Sequence, residues 1–151
     1  MKTTLIGIMD FKTAIFGAVL AASMILNPLA QGAEKAGAQV RIPAGSAEIW
    51  QAIDKEVEQL AALIQAGKFE KVHHHAFAIR DLAAALPARS GSLPADKLAQ
   101  VKTDNKFVAT LAERLDTTGD AKDKLETESN FQKLKTVLTT VRANYPDSTG
   151  K

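Results

Sequence analysis

The 151-residue chain has no cysteine. Disulfides, thiolate metal sites, covalent haem through a C-x-x-C-H motif and a lipid anchor on cysteine are therefore excluded. Aromatics make up only 5% of the residues, and Leu, Ala, Val and Ile supply most of the apolar share. That balance favours helix over sheet. Helix breakers are scarce as well: between Lys68 and Gln100 they are Pro87, Gly91 and Pro94, gathered in one loop. Charge of one sign is missing too. The formal net charge is +2, with both signs interspersed. No basic face or acidic tail emerges, so no nucleic-acid partner and no anionic membrane surface is expected. There is no Gly-rich phosphate loop, no G-x-S-x-G and no H-E-x-x-H. Acidic pairs such as Asp54 with Glu58 and Glu56 with Glu58 fall on polar faces, with no pocket to set one as acid and one as base. The chain is not expected to be an enzyme.

The longest apolar run, residues 14–26, is equally telling. Thirteen helical residues span ~20 Å, short of a ~30 Å hydrocarbon core, and extension back to Leu5 would bury Asp10 and Lys12. Lys12 before the run and Asn27-Pro28 after it give the charged, apolar, polar order of a secretory signal. Cleavage is expected between Gly32 and Ala33, with Ala36-Gly37-Ala38 as a later alternative and Met9 as a second candidate start. The expected organisation is a signal peptide over 1–32, a flexible linker over 33–45, a helical domain over 46–146 and a disordered tail over 147–151. After cleavage no stable membrane insertion is expected, and the location is periplasmic or secreted.

Beyond the linker, apolar residues recur at alternating steps of three and four, the period of an amphipathic helix. The first stripe is Trp50, Ile53, Val57, Leu60 and Ile64, with Ser46 as N-cap and Gly67 closing the helix. The second is Phe69, Val72, Ala76, Ile79, Ala83 and Leu86, stopped by Pro87. The third has Pro94 in its first turn, then Leu98, Val101, Asn105, Val108, Ala112 and Leu115, and ends at Gly119. The fourth is capped by Asp120, runs through Thr127, Phe131, Leu134, Leu138, Val141 and Tyr145, and stops at Pro146. Short connections make consecutive helices antiparallel neighbours. The predicted fold is all-α, an up-down-up-down antiparallel four-helix bundle about 30 Å long.

In size, export signal and helix order, residues 46–145 resemble the periplasmic four-helix cytochromes of cytochrome c-prime-like shape, and Val-Arg-Ala-Asn-Tyr at 141–145 is similar to their last helix. That resemblance implies an electron-transfer bundle. The axial ligands it requires are absent, because the mature chain lacks Met and Cys and has no His in its first or last helix, so no haem ligand carries over. His-Ala-Phe-Ala-Ile-Arg-Asp-Leu-Ala-Ala-Ala-Leu-Pro, residues 75–87, is similar to small exported helical proteins associated with bacterial metal-handling loci.

His73, His74 and His75 are the chain's three histidines. Consecutive helical residues point ~100° apart, so the three cannot converge on one ion. Glu70 precedes His73 and His74 by one turn, and Asp81 follows His74 by two. Glu70, His73 and His74 are the candidate metal ligands, suited to weak Cu²⁺, Zn²⁺ or Ni²⁺; no tightly bound cofactor is expected. Glu70 with His73 makes one E-x-x-H, but a di-iron bundle needs histidine and carboxylates from further helices. Asn105 interrupts the third stripe at the height of His75 and Ala76, so His75 and Asn105 are expected to share a buried hydrogen bond as a structural polar layer. Phe77 and Phe107 point away from the stripes and mark a candidate surface for a protein partner or a homodimer. Trp50 and Tyr145 are read as core caps at one bundle end. Together these features lead to an exported, non-enzymatic helical bundle, an accessory binding protein of the cell envelope for a partner or a weakly held divalent ion. The alternative is a cofactor-carrying electron-transfer bundle of the periplasm.

Overall fold

The structure, a computed structural model, describes residues 40–145. The expectations for the leader, for linker residues 33–39 and for the tail beyond Tyr145 lie outside the described residues. Four α-helices carry the chain: α1 (Ser46–Gln65), α2 (Val72–Ala85), α3 (Ala95–Asp120) and α4 (Lys124–Arg142). Single 3-10 turns flank α2 at Phe69–Lys71 and Leu86–Arg89, and no strand occurs among the described residues. The all-α class expected from periodicity is the one observed. None of the described helices is long and apolar enough to cross a membrane.

The stripes form the core. Trp50, Ile53, Leu60 and Ile64 of α1 are buried, and Ile49 joins them; Val57 is half-buried. In α3, Val101, Val108, Ala112 and Leu115 are buried, as are Thr127, Phe131, Leu134, Leu138 and Val141 in α4. α2 packs against both α1 and α3, and α3 against α4, while the α1–α4 contact is much sparser. Sitting between two neighbours, α2 buries a wider arc than one stripe: Phe77, Ala78 and Leu82 are inside along with Val72, Ala76, Ile79 and Ala83. Phe77 is therefore not a surface aromatic. It is 5% exposed, with the Arg80 guanidinium 4.5 Å from its ring centroid. Phe107, at 56% exposure, remains outside as expected.

The ends of the helices follow local rules, with four departures from the sequence reading. The N-cap of α1 is Gly45 rather than Ser46, since the extended Gly45 supplies the carbonyl that accepts from the Ile49 N–H at 3.1 Å. Gly67 does close α1, at φ +68, and the Lys68 N–H returns to the Leu63 carbonyl at 2.9 Å. This is a Schellman stop, whose left-handed position suits glycine. The second helical stretch does not end at Pro87. It tightens into the 3-10 turn Leu86–Arg89, where Pro87 sits at the start of the turn and its missing N–H costs nothing.

Gly119 likewise does not end α3. It is buried within the helix, and a Cβ placed there would lie 3.0 Å from the Phe69 carbonyl oxygen and 3.2 Å from Val72 Cβ. The glycine lets α3 approach the start of α2 closely. The stop comes after Asp120, through a second Schellman pattern in which Asp123 N–H bonds the Thr118 carbonyl and Lys122 N–H the Gly119 carbonyl, both at 2.9 Å. The left-handed position here, φ 54, is held by Lys122. The N-cap of α4 is accordingly Asp123, not Asp120, its carboxylate accepting from the Glu126 N–H at 3.1 Å.

Candidate functional site

The histidine run opens α2. His74 is exposed, while His73 and His75 are half-buried. The rings of His73 and His74 lie 3.8 Å apart between centroids, tilted by 41°. The His73 Nδ1 atom is buried with no hydrogen-bond partner. His74 is held below the ordinary imidazole value of 6.5, first by partial desolvation of its ring and then by positive charge on His73, His75 and Lys71. Glu70 is exposed but belongs to the 3-10 turn before α2, so the angular step to His73 and His74 is not that of a continuous α-helix. Among the described residues no group of three or more His, Asp or Glu side chains is assembled to hold an ion. Asp81, two turns on, is engaged by Arg80 Nε at 2.9 Å.

The expected His75–Asn105 bond is not formed. His75 Nδ1 is hydrogen-bonded to Glu56 Oε2 of α1 at 2.6 Å, and Asn105 donates through Nδ2 to the Ala83 carbonyl at 2.6 Å. The heights along the helices are close, but the directions differ. His75 looks into the α1–α2 seam, where Glu56 supplies a charge partner, and Asn105 looks into the α2–α3 seam and meets backbone. Glu56, read in the sequence as a polar-face carboxylate, is thus the hydrogen-bond partner of His75 that sequence reasoning missed. A charged partner one helix away leaves no mark in the local pattern.

A cleft of about 650 Å³ lies where α1 and α3 begin and α4 finishes. Its size lies within the ~300–1,000 Å³ of small-molecule sites. Trp50 and Tyr145 meet there edge to face, 5.6 Å between centroids and 77° between planes. The Arg142 guanidinium covers the Trp50 ring at 4.4 Å and donates through Nη2 to Asp54 Oδ1 at 2.6 Å. Behind them the buried Ser90 hydroxyl donates to the Leu86 carbonyl at 2.5 Å and is hydrogen-bonded to the Tyr145 hydroxyl at 2.9 Å. Burial pushes the Tyr145 phenol above its ordinary value, an effect partly offset by that Ser90 bond.

Trp50 is 4% exposed, and its indole N–H has no acceptor. Leaving such a donor unmet costs ~1–3 kcal/mol, so the position calls for an explanation. The expectation that Trp50 and Tyr145 cap one end of the core holds in that both are buried and touch, but they also line this cleft. Their spacing of 95 residues hides it from a sequence reading, because the walls come from three separate stretches. The one local signal is that Ser46, Ala47, Trp50, Gln51 and Asp54 share a face of α1.

Compared with known proteins, the chain matches no family model, no curated protein and no solved structure.

Proposed function

We propose that this chain is an exported, non-enzymatic binding bundle of the cell envelope, periplasmic or secreted, with the cleft beside Trp50 and Tyr145 as its binding site. The observation that carries the reading is the cleft itself: concave, about 650 Å³ in volume and lined in part by the paired aromatics Trp50 and Tyr145. The signal-like leader supports export, and the architectural resemblance to periplasmic four-helix bundles points the same way. The up-down-up-down order belongs to this proposal. Support for it comes from Gly119 near the end of α3 lying on Val72 at the start of α2, and from Tyr145 after α4 lying on Trp50 in α1. Phe107 is the remaining candidate contact for a protein partner or second copy.

Trp50 is the only tryptophan, so its emission reports on the cleft directly. Screening a chemically broad panel of small molecules by Trp50 fluorescence and thermal shift should yield ligands that change both. A panel in which no member moves either signal would refute the binding site. Mature protein released by osmotic shock should begin near Ala33, and intact Met1 or Met9 in a membrane fraction would refute export.

The histidine run favours a second, weaker activity. An exposed His74 biased toward the neutral form offers an imidazole lone pair at neutral pH, with His73 beside it and Glu70 close in sequence. Cu²⁺, then Zn²⁺, should bind on the order of micromolar or weaker, since most of the coordination sphere stays water. Titration calorimetry should show His74→Ala removing most of the binding; loss on His75→Ala alone would move the site into the α1–α2 seam.

A further inference from the structure

We propose that the outer α3–α4 seam around Phe107 is a docking surface for a partner protein presenting an acidic amphipathic helix. The proposal takes up Phe107, the remaining candidate contact, and shares no residue with the cleft. Thr118 of α3 bonds Thr127 of α4 at 3.0 Å, which fixes the side of α3 that faces α4. Phe107 stands three helical turns before Thr118, on that same side, and at the height of Leu138 in the antiparallel pair. On α4, Arg142 marks the side toward α1 through its bond to Asp54. Lys133, Val137 and Thr140, spaced four and three apart, share the opposite side. Phe107 at 56% exposure and the half-buried Val137 thus lie at one height on the two helices.

Two observations select the partner. First, the threonines around Phe107 have no free donor: Thr103, Thr110, Thr136 and Thr140 each give the hydroxyl proton to the carbonyl four residues back, at 3.0 to 3.2 Å. Their methyl groups are left to the surface and extend the apolar patch. Second, the charges here have one sign. Lys106, Arg114 and Lys133 are exposed and in no ion pair among the described residues. Asp104, the one acid of α3 between Lys97 and Ala112, is 7% exposed and accepts from Gln100 Nε2 at 2.8 Å. α4 carries no acid beyond Glu128, and Glu113 projects toward the α2 side of α3. Asp96 and Glu126 do share this side, but they lie three turns from Phe107 and Val137, ~16 Å away and beyond a Debye length. Charges that alternate along the sequence are sorted by the fold. An apolar centre with cations up to two turns, ~10 Å, toward one end matches a helix that carries an apolar anchor and carboxylates two turns on. Nucleic acid is less well met, because its phosphates are bound through many hydrogen-bond donors and the threonines offer none. A membrane surface would demand a larger apolar face than one phenylalanine provides.

The test uses a helical peptide of about 18 residues, ~27 Å long, with a leucine face flanked by glutamates, and a twin with every glutamate replaced by lysine. Each is titrated into the full mature chain by calorimetry. The acidic peptide should bind about tenfold more tightly than its twin, and less tightly as salt is raised. Phe107→Ala should weaken it severalfold, and Arg114→Gln combined with Lys133→Gln should narrow the gap between the peptides, with thermal stability unchanged. Leu125→Ala removes a side chain that is 77% exposed but off the seam, and should change neither affinity. Equal binding of the twins, binding by neither, or a loss on Leu125→Ala equal to that on Phe107→Ala would overturn the proposal. So would tighter, Phe107-dependent binding of phosphatidylglycerol vesicles or duplex DNA, and so would self-association that Phe107→Ala abolishes. The cleft is read separately by Trp50 emission, so its ligands stand whichever way this surface is decided.

Discussion

Replacing Gly119 by alanine sets two known effects against each other at one atom. In an ordinary helix interior the change stabilises by ~0.8–1.0 kcal/mol, through lower backbone entropy in the unfolded chain. Here the added Cβ would sit 3.0 Å from the Phe69 carbonyl oxygen, 3.2 Å from Val72 Cβ and 3.5 Å from Val72 Cγ1. Val72 is fully buried, and the Phe69 oxygen is backbone, so neither is the loose end of a flexible side chain. Forcing a methyl group into such packing costs ~1–3 kcal/mol. Overpacking should win, with a net loss of about 1 kcal/mol and a melting temperature lower by about 4–8 °C for a domain of this size. Urea denaturation followed by Trp50 emission and by far-ultraviolet circular dichroism measures it. A variant as stable as the parent, or more stable, would show that α3 and the Phe69–Lys71 turn do not approach as closely as described.

Three further outcomes follow from the same geometry. Lys122→Gly should raise stability by ~1 kcal/mol, the opposite sign to Gly119→Ala three residues away, because Lys122 occupies the left-handed position that favours glycine; a destabilised variant in the same urea assay would contradict the Schellman stop. Glu56→Ala and His75→Ala should each lose ~1 kcal/mol and couple in a double-mutant cycle, whereas additive losses would show that the two side chains do not touch. Stability should fall at both pH extremes. His74, lowered in the folded state, contributes stability present above pH 6.5 and lost as pH falls through its folded value. Tyr145, raised in the folded state, contributes stability present below pH 10 and lost as pH rises further. Stability-versus-pH curves for His74→Gln and Tyr145→Phe should flatten on the acid and alkaline sides respectively, and unchanged slopes would refute these assignments.

What could be read from the residues alone was whatever depends on neighbours along the chain. The three-four spacing of Ile53, Leu60 and Ile64, or of Leu134, Leu138 and Val141, marks a buried face whatever it packs against, because helical geometry puts those side chains on one side. Gly67 closes α1 for an equally local reason, its freedom at positive φ. Tertiary structure decided everything that depends on direction across a seam. His75 and Asn105 were placed at nearly the right height, but height does not fix which neighbour a side chain faces, and each found a different partner. Phe77 lies off the stripe yet is buried, because α2 has a helix on both sides. Gly119 looks like a stop signal and is a close-packing point, since a missing Cβ serves either use and only the approach of Val72 distinguishes them. The cleft is the extreme case: Trp50, Pro94 and Arg142 come from three distant stretches, so no local pattern carries it, and the charge and apolar surface around it exist only where the helix ends meet.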